Sequence, residues 1–272
     1  MKDNKKKRRS SSFIGLFHLF MVVLIGAVIT LIKRYVGMEM LQYVIMMICV
    51  IATYGIIVVI ITELKTIKRK KKCESILRIL LDEKNTDKFI KEMEDAYKRY
   101  PDRSLNNYII TNLAAGYSCR GNYEKANELL KEINSKKLKD ADLAAYYGDI
   151  IENYFRMGYV DEARKLLNQK NDFIKMYTNN QNCGSVINLC YALDSLTAGN
   201  FPEGRVFLEK AKSLCTIDVT MDIINMDFAK LLVAEGDVEG AEREMQTLSK
   251  SRVVPCVRIE MDKLRKFIIA QF

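Results

Sequence analysis

The chain has 272 residues and a mass of 31.4 kDa, and 49% of its residues are apolar, enough for a packed core; a chain disordered throughout is excluded. Its net charge of +9 is confined to one quarter: residues 1–72 hold 14 basic and 3 acidic side chains, whereas the rest hold 29 and 31. The sequence pI near 9.1 therefore does not describe a nucleic-acid-binding body.

In chain order, a basic tail over 1–12 comes first. From Phe13 to Ile32 there are 20 residues without Asp, Glu, Lys or Arg, and from Met40 to Thr62 there are 23 more. Helices of that length cover the roughly 30 Å of a bilayer's hydrocarbon and satisfy their own backbone groups where no water is present. The reading is a transmembrane hairpin, with spans over 13–32 and 40–62 and a short external turn over 33–39. A signal peptide is disfavoured because the first apolar run ends in Leu31-Ile32-Lys33-Arg34 and a second span follows at once. Within the first span His18 is the chain's one histidine, expected at the interface rather than in a proton relay. Gly26, Thr30, Ala52 and Gly55 are small enough to let the two helices approach.

Lys2, Lys5, Lys6, Lys7, Arg8 and Arg9 precede the first span, and Lys65, Lys68, Arg69, Lys70, Lys71 and Lys72 follow the second, while the turn holds two basic residues and one acidic. This bias puts both flanks and both termini in the cytoplasm, at the cytoplasmic (plasma) membrane. Lys5, Lys6, Lys7, Arg8, Arg9, Lys68, Arg69, Lys70, Lys71 and Lys72 are expected to contact anionic lipid headgroups, each at about 1 kcal/mol. Short basic runs also suit phosphate backbones, but topology already accounts for these, so no nucleic acid is expected as a partner.

After a basic juxtamembrane segment over 63–73, apolar residues recur at three and four, the spacing of amphipathic helices, and prolines stand only at 101, 202 and 255. The fold class is all-α, with residues 74–272 as one helical repeat domain. Four turn motifs recur, Gly121-Asn122-Tyr123-Glu124-Lys125-Ala126, Gly158-Tyr159-Val160-Asp161-Glu162-Ala163, Gly199-Asn200-Phe201-Pro202-Glu203-Gly204 and Gly236-Asp237-Val238-Glu239-Gly240-Ala241. In each, glycine permits a left-handed backbone that ends one helix, polar residues start the next at its positive dipole end, and a small residue five places on permits close packing.

This pattern, with Leu113, Ala114, Tyr117, Leu130 and Ile133 around the first turn and Phe228, Ala229, Leu232, Ala241 and Leu248 around the last, resembles the tetratricopeptide repeat family over about residues 74–250. It departs at Ile151 and Gly204, and the family's closing proline is missing from all four units. A fifth, degenerate unit is expected before Gly121, with Ala96 and Pro101 on the family's small and proline positions. The resemblance implies an α-solenoid of helix pairs with a C-terminal capping helix, Val257 to Phe272, and a concave groove for a protein or peptide partner. It implies groove positions at Tyr108, Thr111, Ser118, Glu152, Arg156, Leu189, Leu193, Met226 and Lys230, the apolar members of which are equally open to burial between repeats. The paired Lys and Asn with which some relatives clamp a C-terminal carboxylate are matched here by Thr111, Ala115, Gly148 and Glu152, which cannot do so.

Seven cysteines form no C-x-x-C pair, and neither a phosphate-cradling loop nor a nucleophile motif is present. Cys73 follows the basic run directly, where S-acylation or a plain thiol are the two readings. No enzyme activity, cofactor or metal is expected. The chain reads as a membrane-anchored interaction scaffold, its hairpin resembling those of bacterial cytoplasmic-membrane proteins; the alternative is a subunit or assembly factor of a membrane complex whose hairpin contacts other spans.

Overall fold

The structure, a computed structural model, describes residues 21–271 apart from 22, 25, 33, 35–38, 101 and 102. No described residue lies in a β-strand, and the chain is built from α-helices. It divides into two compact units, Met1–Lys71 and Lys72–Phe272.

In the first unit, the described residues between 21 and 34 are helical, and a long helix α1 follows, Met40–Leu81, whose residues from Lys72 on belong to the second unit. The hydroxyls of Thr30 and Tyr43 lie 3.0 Å apart, and a Cβ on Gly26 would stand 3.9 Å from Met47 Cε. Both pairs share one midpoint in the sequence, so the two helices run antiparallel and touch on this face. Gly26 and Thr30 thus do permit the approach the sequence assigns them, but Ala52 is exposed and Gly55 faces open space.

Along α1 the apolar side chains point outward, with Val44, Ile48, Ile56 and Ile60 all exposed. The Thr30, Thr53 and Thr62 hydroxyls donate back to the carbonyls of Gly26, Cys49 and Val58 at 2.7–2.8 Å, which removes their need for water. The stretch Gln42–Leu81 is, among the described residues, the one helix long and apolar enough to cross a membrane. Residues 13–20 of the other expected span, with His18, lie outside the described residues, as do Lys5, Lys6, Lys7, Arg8 and Arg9.

Helix α1 runs without interruption from the second expected span through the basic segment over 63–73 to Leu81. Residues 56–81 contain neither Gly nor Pro, and Leu, Lys, Arg, Glu and Ile all sustain a helix, so nothing in the sequence ends it at the charge boundary.

The second unit continues with α2 Thr86–Arg99, α3 Arg103–Arg120, α4 Tyr123–Lys131, α5 Asp140–Arg156, α6 Val160–Ile174, α7 Gly184–Thr197, α8 Phe201–Leu214, α9 Asp218–Ala234, α10 Val238–Ser249 and α11 Pro255–Gln271. Helices α3 to α10 form four hairpins. Each is turned by a glycine in the left-handed region, Gly121, Gly158, Gly199 and Gly236, with φ of 88, 79, 76 and 87°. Asn122, Asn200 and Asp237 then cap the second helix, their side chains accepting from the backbone N–H of Lys125, Glu203 and Gly240. The small residues five places past the glycines, Ala126, Ala163, Gly204 and Ala241, are all buried. At Gly204 a Cβ would meet Leu196 Cδ2 at 2.7 Å, which explains why glycine replaces alanine in that unit.

Two apolar cores result. The central one joins α5 to α9, with Ile151, Ile174, Ile187, Leu189, Leu208 and Ile224 fully buried. The other joins the two ends of the array: Cys73, Ile76, Phe89, Met93, Ile109, Ile110 and Leu130 share it with Met226, Met245, Leu248, Val254, Val257, Met261 and Ile268. A salt bridge from Lys84, just after α1, to Asp222 on α9 ties the same ends together. The last helix shares this core with α10, as a cover for the last hairpin does, but it also packs against α3, the first helix of the first hairpin. The array curls back on itself.

Candidate functional site

The expected groove positions lie on the first helices of the hairpins, and the structure brings several of them to one place. Ser118 on α3, Glu152 and Arg156 on α5 and Met226 on α9 line a partly open cavity of about 30 Å³, together with Tyr123, Ile223 and, from α11, Cys256, Val257 and Glu260. That is room for about two water molecules. Of the other expected positions, Lys230 borders this site through its ion pairs, and Tyr108 is half-buried against the core that joins the two ends of the array. Thr111 is exposed outside the cavity. Leu189 and Leu193 are 1% and 9% exposed and belong to the central core, where they hold α7 against its neighbours rather than face a groove.

The polar side of the cavity is a fixed charge cluster. Arg156 donates through both terminal nitrogens to the two Asp227 oxygens at 2.7 and 2.6 Å, and its Nε lies 3.3 Å from Glu152 Oε1. This bidentate geometry is the strong form of the interaction. Asp227 is 1% exposed and the Arg156 side chain 9%. Lys230 lies 3.6 Å from Asp227 and donates to Glu260 Oε2 at 2.7 Å, which links α9 to α11. Beside the ions a neutral chain runs from Ser118 Oγ to Asn153 Oδ1 at 2.8 Å and from Asn153 Nδ2 to Asn127 Oδ1 at 2.9 Å, joining α3, α5 and α4. The Asn127 Nδ2 group is buried without a partner.

The protonation states follow from this packing. Burial works against the Arg156 charge, but the Asp227 and Glu152 carboxylates together outweigh it and hold the guanidinium well above its ordinary value. Burial raises the Glu152 carboxyl, and Arg156 offsets only part of that. One turn earlier, burial and then the Glu152 charge push Asp149 up to about 7. Glu260 goes the other way: burial raises it, yet the Lys230 and Lys263 ammonium groups prevail and hold it at about 2. Burial drives the thiols up, Cys256 to about 12 and Cys119 and Cys190 well above their ordinary value, so they stay protonated and serve as small apolar groups. The cluster holds charge in fixed pairs; it presents no activated nucleophile. No group of three or more metal-ligating side chains forms among the described residues.

Reasoning from sequence missed Asp227, Glu260, Tyr123 and Asp149. A signal for the first was present: Asp222 and Asp227 are the two carboxylates in the mostly apolar stretch from Val219 to Ala234, and both prove paired across the array. Lys68, Lys70, Lys71 and Lys72 are exposed on α1 beyond its apolar stretch. Comparison with protein families, with curated proteins and with solved structures finds no match for this chain.

Proposed function

We propose that the chain is a membrane-anchored protein–protein interaction scaffold, held by two spans with both termini in the cytoplasm, whose tetratricopeptide-like array grips a protein partner on the inner face of its first helices. The observation that supports this most is the succession, in one chain, of a helix with outward apolar side chains and an array of glycine-turned hairpins whose Ser118, Glu152, Arg156, Met226 and Lys230 converge. Apolar faces such as those of Val44, Ile48 and Ile56 are stable only against lipid or other apolar surface. The exposed lysines Lys68, Lys70, Lys71 and Lys72 are placed to meet anionic headgroups.

The test is photo-cross-linking in cells, with a cross-linking amino acid at the expected groove position Thr111, which is exposed on α3, and, in a control, at Glu128, which is exposed on α4. The expected result is a discrete protein adduct from Thr111 and none from Glu128, on a chain that stays in the pellet after alkaline carbonate washing. An extractable chain, or identical adduct patterns from the two positions, refutes the proposal.

A further inference from the structure

Helix α11 docks in the manner of a ligand. Its buried residues are Cys256, Val257, Met261, Leu264 and Ile268, a single stripe at steps of three and four, while Arg258, Ile259, Asp262, Lys263, Arg265, Lys266 and Phe267 on the other side are exposed. It packs against α9 and α3, the inner helices of the last and first hairpins. Its ion pair with the array is Glu260 with Lys230, at 2.7 Å. Four of the expected groove positions line the cavity to which its first turn contributes Cys256, Val257 and Glu260. Its connection to α10 is short, and Val253 and Val254 in that connection are themselves buried, so the helix has an anchored end about which to swing.

We infer that α11 is an intramolecular ligand that occupies the seat of an amphipathic helix from a partner protein, and that the partner helix carries the same face: small or β-branched apolar residues, a carboxylate one turn on to meet Lys230, then Met- or Leu-sized residues on the following turns. Charge complementarity selects this occupant. Lys230 lies 3.6 Å from Asp227 but donates to Glu260 of α11 at 2.7 Å, and Arg156 is committed to Asp227 and Glu152, so an acidic residue at that step completes the closer Lys230 pair and a basic one is disfavoured. Because α11 is tethered, its effective concentration is in the millimolar range, and a free helix competes only when α11 is weakened or the partner binds better. The inference rests on the scaffold reading and names the partner's chemistry.

The experiment uses the full chain in detergent micelles and, as probe, a fluorescent peptide with the sequence of residues 253–271 carrying Cys256→Ala, read by anisotropy. A chain carrying Glu260→Lys and Met261→Asp, which undock α11, is expected to bind the peptide at least about tenfold more tightly than the unaltered chain. The peptide bearing Glu260→Lys is expected to lose about tenfold or more on that same chain. In the unaltered chain, amides of α11 are expected to exchange hydrogen at least about a hundredfold faster than those of α9, which reports local opening without any variant. Equal exchange of α11 and α9, no gain in peptide binding, or collapse of the whole array's helical signal in the double variant would each show α11 to be a strut and overturn the inference. A gain traced to dimers that exchange α11 between copies overturns it as well. If the peptide fails while Thr111 still cross-links a protein, the inference alone falls; if the peptide binds and Thr111 captures nothing, the scaffold reading is at fault.

Discussion

Replacing Asp227 by Leu removes the carboxylate that both terminal nitrogens of Arg156 contact, at 2.7 and 2.6 Å, in a site where the two side chains are 1% and 9% exposed. The guanidinium is then left with Glu152 alone, at 3.2 Å, and Lys230 loses the anion 3.6 Å away. Stranding a buried charge in this way costs about 3–5 kcal/mol. Arg156→Met leaves Asp227 with Lys230 as a second partner, so its effect falls at the lower end of that range. The double variant Arg156→Met/Asp227→Leu exchanges the pair for apolar volume and is expected to lie within about 1–2 kcal/mol of the unaltered protein. Urea unfolding of the full chain in micelles, followed by far-UV circular dichroism, closes the double-mutant cycle, with an expected coupling energy of about 3 kcal/mol or more. Single variants that each lose less than about 1 kcal/mol, or a double variant as unstable as the two losses added together, would refute the reasoning.

Gly116→Ala is expected to destabilise by about 1–3 kcal/mol, because its Cβ lands 2.5 Å from Phe89 Cε1; thermal unfolding measures this, and a smaller residue at position 89 should restore part of it. Gly199 and Gly204 separate two reasons for glycine. Gly199→Ala meets no atom and is expected to lose about 1–2 kcal/mol through its φ of +76° alone, whereas Gly204→Ala collides with Leu196 and is relieved by Leu196→Ala. Two carboxyls give opposite pH slopes. Asp149, raised to about 7, binds its proton more tightly when folded, so its contribution falls as pH rises from about 4 to about 7, and Asp149→Asn flattens that limb of a stability–pH curve. Glu260, held at about 2, stabilises above its ordinary value and that contribution is lost as pH falls towards 2, so Glu260→Gln flattens the acid limb.

The helical architecture was legible because its signals are local. Glycines at 121, 158, 199 and 236 mark turns whatever the surroundings, and Ala126, Ala163 and Ala241 mark close packing one and a half turns later. The path of α1 was not, because a change from apolar to basic residues reads as a boundary of environment, while a helix ends only where the backbone is given a reason to end. The convergence of side chains was only partly legible. Ser118, Glu152, Arg156 and Met226 line one cavity, whereas Leu189 and Leu193, on the first helix of the third hairpin, are buried in the central core, and sequence position in a hairpin does not separate the two outcomes. The pairing of Arg156 with Asp227 joins two hairpins and has no short-range signature.

The bonds from Lys84 to Asp222 and from Arg156 to Asp227 join residues 138 and 71 positions apart. During synthesis Phe89, Ile109 and Leu130 leave the ribosome roughly 120 residues before the segment that completes their core, an interval of about 6–24 s at ~5–20 residues per second. An open stack would bury each hairpin as its neighbour emerged, and would survive trimming or lengthening by one unit. Here early greasy surface must wait for late partners, so a stop codon before position 219 leaves a nascent product with an unfinished interior, prone to chaperone capture and degradation rather than a shorter working protein.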